Sequence, residues 1–209
     1  MLDLYITRHG QTVWNIERRF QGRHDSDLTE LGRLQASLLH DRIKDLGLNV
    51  IYTSPSKRAW DTAMLLKKEL DIPVYKAEEL YEMGFGEWEG RVLEDVMKEN
   101  ARLYSRLIQT PSKYVPVTGE SFEELFERTS SFIGRIKAEH GGQKVLLVTH
   151  GITRKAIMSL FQEKSIDEFW QSENIAKQTS LTHVQISKDG KGEVLMNNDY
   201  THWKHLEEK

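Results

Sequence analysis

The sequence predicts a three-layer α/β/α sandwich: a mostly parallel central sheet, helices on both faces, and a small helical cap. Three observations carry this. Short runs at residues 4–7, 50–53 and 145–149 are apolar with almost no polar interruption, as strands buried on both faces are. Helical patterns lie between them, and strands that alternate with helices argue for a parallel sheet. The chain has 209 residues, 38% hydrophobic and 29% charged. That composition is globular and long enough to bury a sizeable core.

The elements follow in order. Leu4-Tyr5-Ile6-Thr7 is the first strand. Leu31, Leu34, Leu38, Ile43 and Leu46 roughly follow a helical stripe, with Thr29 as its N-cap. A second strand covers 50–53, and Ala59, Ala63, Leu66 and Leu70 mark the helix after it. Residues 107–119, with Pro111 and Pro116, read as a loop inside a cap segment of about 92–121. Ser121 and Glu124 make a capping box ahead of Phe122, Leu125, Phe126, Thr129, Phe132, Ile133 and Ile136. Gly141-Gly142 ends that helix. The third strand leads into a helix bearing Ala156, Ile157, Leu160 and Phe161. Residues 181–186 and 193–196 flank Asp189-Gly190-Lys191-Gly192 as a hairpin, which adds antiparallel character at one edge. The expectation is one domain over residues 1–209.

Charge and composition exclude several function classes. Lys and Arg total 29 against 32 Asp and Glu, a net charge of −3, and no basic block stands out. Neither nucleic acid nor a membrane surface is expected as a partner. The chain has no cysteine. That removes disulfides, thiolate nucleophiles, zinc fingers and iron–sulfur clusters, and it fits a reducing compartment. No apolar run approaches the roughly 20 residues of a membrane helix, and the N-terminus shows no signal region. A cytoplasmic protein, monomer or homodimer, is expected.

The chemistry sits after the strands. The first ends in Arg8-His9-Gly10, the second runs through Thr53-Ser54-Pro55 to Arg58, and the third ends in His150-Gly151. Ligands of open α/β sheets bind outside the carboxyl ends of strands, so Arg8, His9, Arg58 and His150 should share one rim. Guanidinium forks match phosphate oxygens in pairs. Glycine after each histidine lets a ligand approach the backbone, and helix starts aim free N–H groups at an anion. The residues point to a phosphate site. His9 can attack phosphorus through a neutral ring nitrogen, and a carboxyl group can protonate the leaving oxygen. Glu82, Glu87 and Glu89 all lie in the segment 80–90, and the residues alone leave the choice among them open.

The run Arg8-His9-Gly10-Gln11-Thr12, followed by Asn15, resembles the signature of the histidine phosphatase superfamily, in its phosphoglycerate-mutase-like branch. Four more segments match in order: Gln21-Gly22 with Asp27-Leu28-Thr29 and Gly32; Ser54 to Ala59 with Thr62-Ala63; Leu80-Tyr81-Glu82 through Trp88-Glu89-Gly90; and Val148 to Gly151. Five ordered segments are far more specific than an isolated R-H-G. The resemblance implies that His9 accepts the phosphoryl group, and that Arg8, Arg58 and His150 hold its oxygens and stabilise the charge of transfer. It implies that Asn15, Gln21, Gly22 and Gly151 line the phosphate site and that Glu82 is the proton donor. It implies no metal and no cofactor, and a small phosphate ester as the substrate.

The mutases of that family carry E-R-H-Y-G and a longer insertion at the acid segment. Here the segment reads Glu82-Met83-Gly84-Phe85-Gly86, without the basic pair. The run Gly86-Glu87-Trp88-Glu89-Gly90 is closest in pattern to the short bacterial phosphatases, of broad specificity or acting on alpha-ribazole phosphate. Hydrolysis is therefore expected, with a phosphoglycerate mutase and a non-catalytic phospho-ligand sensor as alternatives. Met83, Phe85, Leu103, Tyr104, Leu107, Ile108 and Tyr114 are expected to shape a partly apolar leaving-group pocket. His24, His40, His140 and His183 read as surface or helix-end residues, His202 and His205 as no metal site, and Trp60 and Trp88 as core or pocket-wall aromatics.

Overall fold

The computed structural model describes residues 1–171 and 174–206. In chain order the elements are β1 (Leu2–Arg8), α1 (Val13–Ile16), α2 (Glu30–Ile43), β2 (Val50–Thr53), α3 (Lys57–Lys67), β3 (Val74–Lys76), α4 (Leu93–Glu99), α5 (Ala101–Gln109), α6 (Phe122–Glu139), β4 (Lys144–Thr149), α7 (Gly151–Phe161), β5 (Leu181–Ile186) and β6 (Gly192–Asp199).

The sheet order is β3-β2-β4-β1-β5-β6. The first four strands are mutually parallel, and β5 joins β1 antiparallel, with β6 antiparallel to β5. Successive side chains of a strand point to opposite faces, and the three apolar runs use both. Leu4, Ile6, Val145 and Leu147 meet Phe132 and Ile136 of α6 and Ile157 of α7. Tyr5, Ile51, Leu146 and Val148 meet Leu39 and Ile43 of α2 and Ala59, Ala63 and Leu66 of α3. The result is the expected α/β/α layering. No helix among the described residues is long and apolar enough to cross a membrane.

The caps form as read. Thr29 Oγ1 accepts from Gly32 N at 3.0 Å. Ser121 and Glu124 exchange both bonds of a capping box at the start of α6. Each such cap contributes about 1 kcal/mol.

Two readings need correction. The buried face of α2 is Gly32, Gln35, Ala36, Leu39, His40 and Ile43, while Leu31 and Leu34 are exposed. Hydropathy could not point there because four of those positions are small or polar. Backbone contact selects them: a Cβ on Gly10 would lie 2.5 Å from the Gly32 carbonyl oxygen, and Gln35 Oε1 accepts from Gln11 N at 3.1 Å. His40 is accordingly buried, its ring nitrogens meeting Leu66 O and Glu69. The second correction concerns 107–119. The helix α5 runs on to Gln109 and a single 3-10 turn follows at Pro111–Lys113, so irregular backbone within 107–119 is confined to Thr110 and 114–119. A third apolar cluster lies here, with Val96, Leu107 and Tyr114 packed on Trp88, Phe122 and Phe169.

Candidate active site

Strands β1 and β4 are neighbours, and their chains leave in opposite directions. After β1 the chain reaches α2 on one face; after β4 it enters α7 on the other. A crevice opens where such paths diverge. There the structure has a cavity of about 440 Å³.

The sequence-predicted residues meet at this cavity. Arg8, His9, Asn15, Gln21, Gly22, Arg58, Glu82 and Gly151 line it. His150 lies directly behind, its ring centroid 5.2 Å from that of His9. Backbone bonds hold the two histidines in register, since His9 N donates to Thr149 O at 2.9 Å.

His9 is 2% exposed, and its Nδ1 lies 2.7 Å from the Gly10 carbonyl oxygen. A carbonyl only accepts, so Nδ1 carries the proton and Nε2 keeps its lone pair. Burial, then the Arg58 and Arg8 cations, push protonation of His9 well below the usual histidine range. The ring is a neutral base aimed by its own backbone.

The cations are buried too. Arg8 Nη1 donates to Ala176 O at 2.8 Å. Arg58 donates to Gly22 O at 2.7 Å, His24 O at 2.6 Å and Asp25 Oδ1 at 2.8 Å. Asp25 also accepts from Lys57 N and Arg58 N, so one carboxylate from a distant loop caps α3 and pairs with its arginine. Burial pushes Arg8 down to about 10, still a cation at neutral pH. These contacts leave Arg8 Nε, Arg58 Nε and His150 Nδ1 buried without a hydrogen-bond partner among the described residues, along with Gln21 Oε1. Buried polar atoms without partners are rare and costly. Here Arg8 and Arg58 line the cavity beside His9, with the His150 ring close behind.

The three carboxylates now separate. Glu82 lines the cavity, and its oxygens accept from Met83 N at 3.0 Å, Ile152 N at 3.2 Å, Thr153 N at 3.0 Å and Thr153 Oγ1 at 3.1 Å. It therefore caps α7, whose own N-cap, His150, makes no side-chain cap bond. Glu89 is buried elsewhere and staples two loops by accepting from Arg23 N, His24 N and Phe85 N. Glu87 is exposed, and its backbone N–H donates to Thr118 Oγ1.

Asn15 serves two ends at once. Its Oδ1 accepts from Thr12 N in the capping box of α1, so Nδ2 is the group it can offer the cavity. Gly22 sits at φ +52° and its carbonyl oxygen holds Arg58, while a Cβ there would strike Glu89. Glycine is the residue that meets both demands.

The apolar wall differs from the sequence reading. Trp14, Phe20, Phe85, Leu93, Ile152 and Ile175 form it. Of the residues expected there only Phe85 appears; Met83, Leu107 and Tyr114 are buried in the third cluster, with Leu103, Tyr104 and Ile108 packed against it. The chain leaves β1 through α1 and the turn after it, which bring Trp14 and Phe20 respectively to the cavity, a placement that no local pattern announces. Sequence reasoning also missed Arg18 and Arg19 at the mouth and the capping role of Asp25. Trp88 is a core aromatic, whereas Trp60 is half-buried beneath Lys76.

The geometry agrees with the comparisons. The profile of the histidine phosphatase superfamily (branch 1) matches residues 4–199. Phosphoserine phosphatase 1 of Hydrogenobacter thermophilus is 31% identical over 170 residues, 81% of each chain. Phosphoglycerate mutase-like protein 4 of Arabidopsis thaliana is 31% identical over 152 residues, 71% of this chain and 66% of that protein. The solved structure of Bacillus stearothermophilus YhfR is 37% identical with a TM-score of 0.92, covering 97% of this chain and 99% of the other. The alpha-ribazole phosphatase of Shigella flexneri is 28% identical with a TM-score of 0.84, covering 94% and 97%. With nearly its whole length matched, this chain belongs to the histidine phosphatase superfamily, branch 1.

Proposed function

We propose that the protein hydrolyses small phosphomonoesters through a phosphohistidine on His9, without a metal. The observation that carries this is the gathering of Arg8, Arg58 and His150, each with a buried nitrogen that has no partner among the described residues, around the ring of His9, whose Nε2 keeps its lone pair. A phosphoryl group supplies the oxygens those donors lack. Asn15 Nδ2 adds another donor, and a half-turn of the Gln21 amide would add one more.

The sequence of bonds is balanced. His9 Nε2 attacks phosphorus, the ester P–O bond breaks, and protonated Glu82 gives its proton to the leaving oxygen. Water then attacks the phosphohistidine and loses a proton to Glu82, releasing phosphate and neutral His9. The apolar wall suits a leaving group with carbon surface, which aromatic and acyl phosphates have. Relatives named for phosphoserine and alpha-ribazole phosphatases are consistent with this substrate class. A cytoplasmic monomer or homodimer acting on metabolites fits the same reading.

A mutase would need to retain a bisphosphorylated intermediate. Residues 83–86 offer no basic side chain for that, although one relative is named mutase-like. Product analysis with chelator present separates the readings. Free phosphate from several esters, lost in His9→Ala, is expected. Conversion of 3- to 2-phosphoglycerate without phosphate release would make it a mutase. Binding of phosphate without turnover of any ester would make it a sensor.

A further inference from the structure

Ser54 follows β2 directly and is fully buried. Its Oγ lies 2.8 Å from His150 Nε2 and 3.2 Å from Ser56 Oγ. The other ring nitrogen, Nδ1, is the buried atom that has no partner among the described residues. A neutral imidazole has one donor nitrogen and one acceptor nitrogen, and a hydroxyl has one proton to give. Two arrangements are therefore open. If Ser54 donates to Ser56, then His150 Nε2 donates to Ser54 and Nδ1 presents a lone pair. If Ser54, which accepts from Ser56 N at 3.3 Å, turns its proton to Nε2 instead, then Nδ1 presents an N–H. Only the second attracts an anion.

We propose that Ser54 is a positioning residue, whose hydroxyl donates to Nε2 and so holds His150 as the Nδ1–H tautomer, a neutral donor to the phosphoryl group. The proposal rests on the reading of this site as a phosphoryl pocket. Backbone placement supports it, since Ser54 N donates to Val148 O at 3.0 Å and ties the serine to the strand that ends in His150.

A doubly protonated ring would need no such help, but its surroundings oppose the extra charge. Burial acts first, then Arg58 from α3, His9 and Arg8 from the end of β1, and Arg128 from α6. The carboxylate of Glu82 is held by the first turn of α7, the helix whose N-cap is His150. With this set of neighbours the tautomer, rather than the charge, decides what Nδ1 offers.

The test compares wild type with Ser54→Ala and Ser54→Thr. Long-range ¹H–¹⁵N spectra of the imidazoles, recorded with inorganic phosphate, read the tautomer without turnover. Wild type and Ser54→Thr should show Nδ1–H on His150; Ser54→Ala should show Nε2–H or a mixture. In kinetics with 4-nitrophenyl phosphate, Ser54→Ala should lose about 10- to 100-fold in kcat/KM at alkaline pH. The loss should persist wherever His150 stays neutral, because there the tautomer alone decides what Nδ1 offers. Nδ1–H in Ser54→Ala, or an unchanged kcat/KM in that variant, overturns the proposal. If wild type turns over no ester, the phosphatase reading fails, yet the spectra still decide the role of Ser54.

Discussion

The acid role proposed for Glu82 conflicts with its place as a cap. An acid must hold a proton, yet the oxygens of Glu82 already accept four hydrogen bonds from the start of α7 and its own loop. Glu82→Gln puts an amide NH₂ among those donors. It should lower stability by about 1–3 kcal/mol, seen as a lower thermal midpoint. It should also slow alkyl phosphates more than 4-nitrophenyl phosphate, since a good leaving group needs little protonation. Equal loss across a leaving-group series would reject the acid role. Arg18 is a second case. It is exposed at the cavity mouth, at φ +53°, and its side chain makes no hydrogen bond or ion pair among the described residues. Its charge is available to a leaving group with a carboxylate. Arg18→Gln should raise KM for O-phosphoserine up to about fivefold, the range of an exposed ion pair, and should barely change KM for 4-nitrophenyl phosphate. The same change for both esters would remove Arg18 from specificity.

At the scale of elements, α3 depends on a residue outside itself. Ser56, its N-cap, makes no side-chain cap bond, and Asp25 accepts the first N–H groups while pairing with Arg58. Asp25→Ala should therefore destabilise the fold by about 1–2 kcal/mol through the lost cap and raise KM by loosening Arg58. A raised KM with unchanged stability would show that the cap contributes little. Element by element, legibility follows where the stabilising contacts come from. The strands β1, β2 and β4 were legible because burial on both faces leaves an uninterrupted apolar run. The edge strand β3 was not, since three residues with Tyr75 exposed carry no pattern. The buried face of α2 was misread because glycine and amide contacts to the His9 loop outweigh its leucines. The cationic rim was legible because strand ends place residues by topology. The apolar wall and Asp25 were not, because loops from remote parts of the chain bring them there.

For the whole molecule, the buried histidines set the response to acid. His9 and His150 are held neutral far below the usual range, and His202 is pushed down to about 4, chiefly by burial and then by Arg42. Arg42 approaches His202 Nδ1 as a donor, so that nitrogen accepts. The unfolded chain takes up protons on these rings near pH 6.5, whereas the folded chain does not. Stability is therefore full above about pH 6.5 and falls as pH drops toward about 4. Thermal midpoints in phosphate-free buffers should decline across that window, and His202→Gln should flatten part of the slope. A midpoint that is level or rises on acidification would contradict this.

The unpartnered donors around His9 have a thermodynamic consequence. On the proposed mechanism they meet the phosphoryl oxygens, which inorganic phosphate, the product, also carries. Phosphate should compete with the ester, and turnover should slow as product accumulates. The same occupancy is linked to folding by mass action: phosphate at a hundred times its dissociation constant adds about 2.7 kcal/mol to stability. Inhibition and thermal protection should therefore report one and the same dissociation constant.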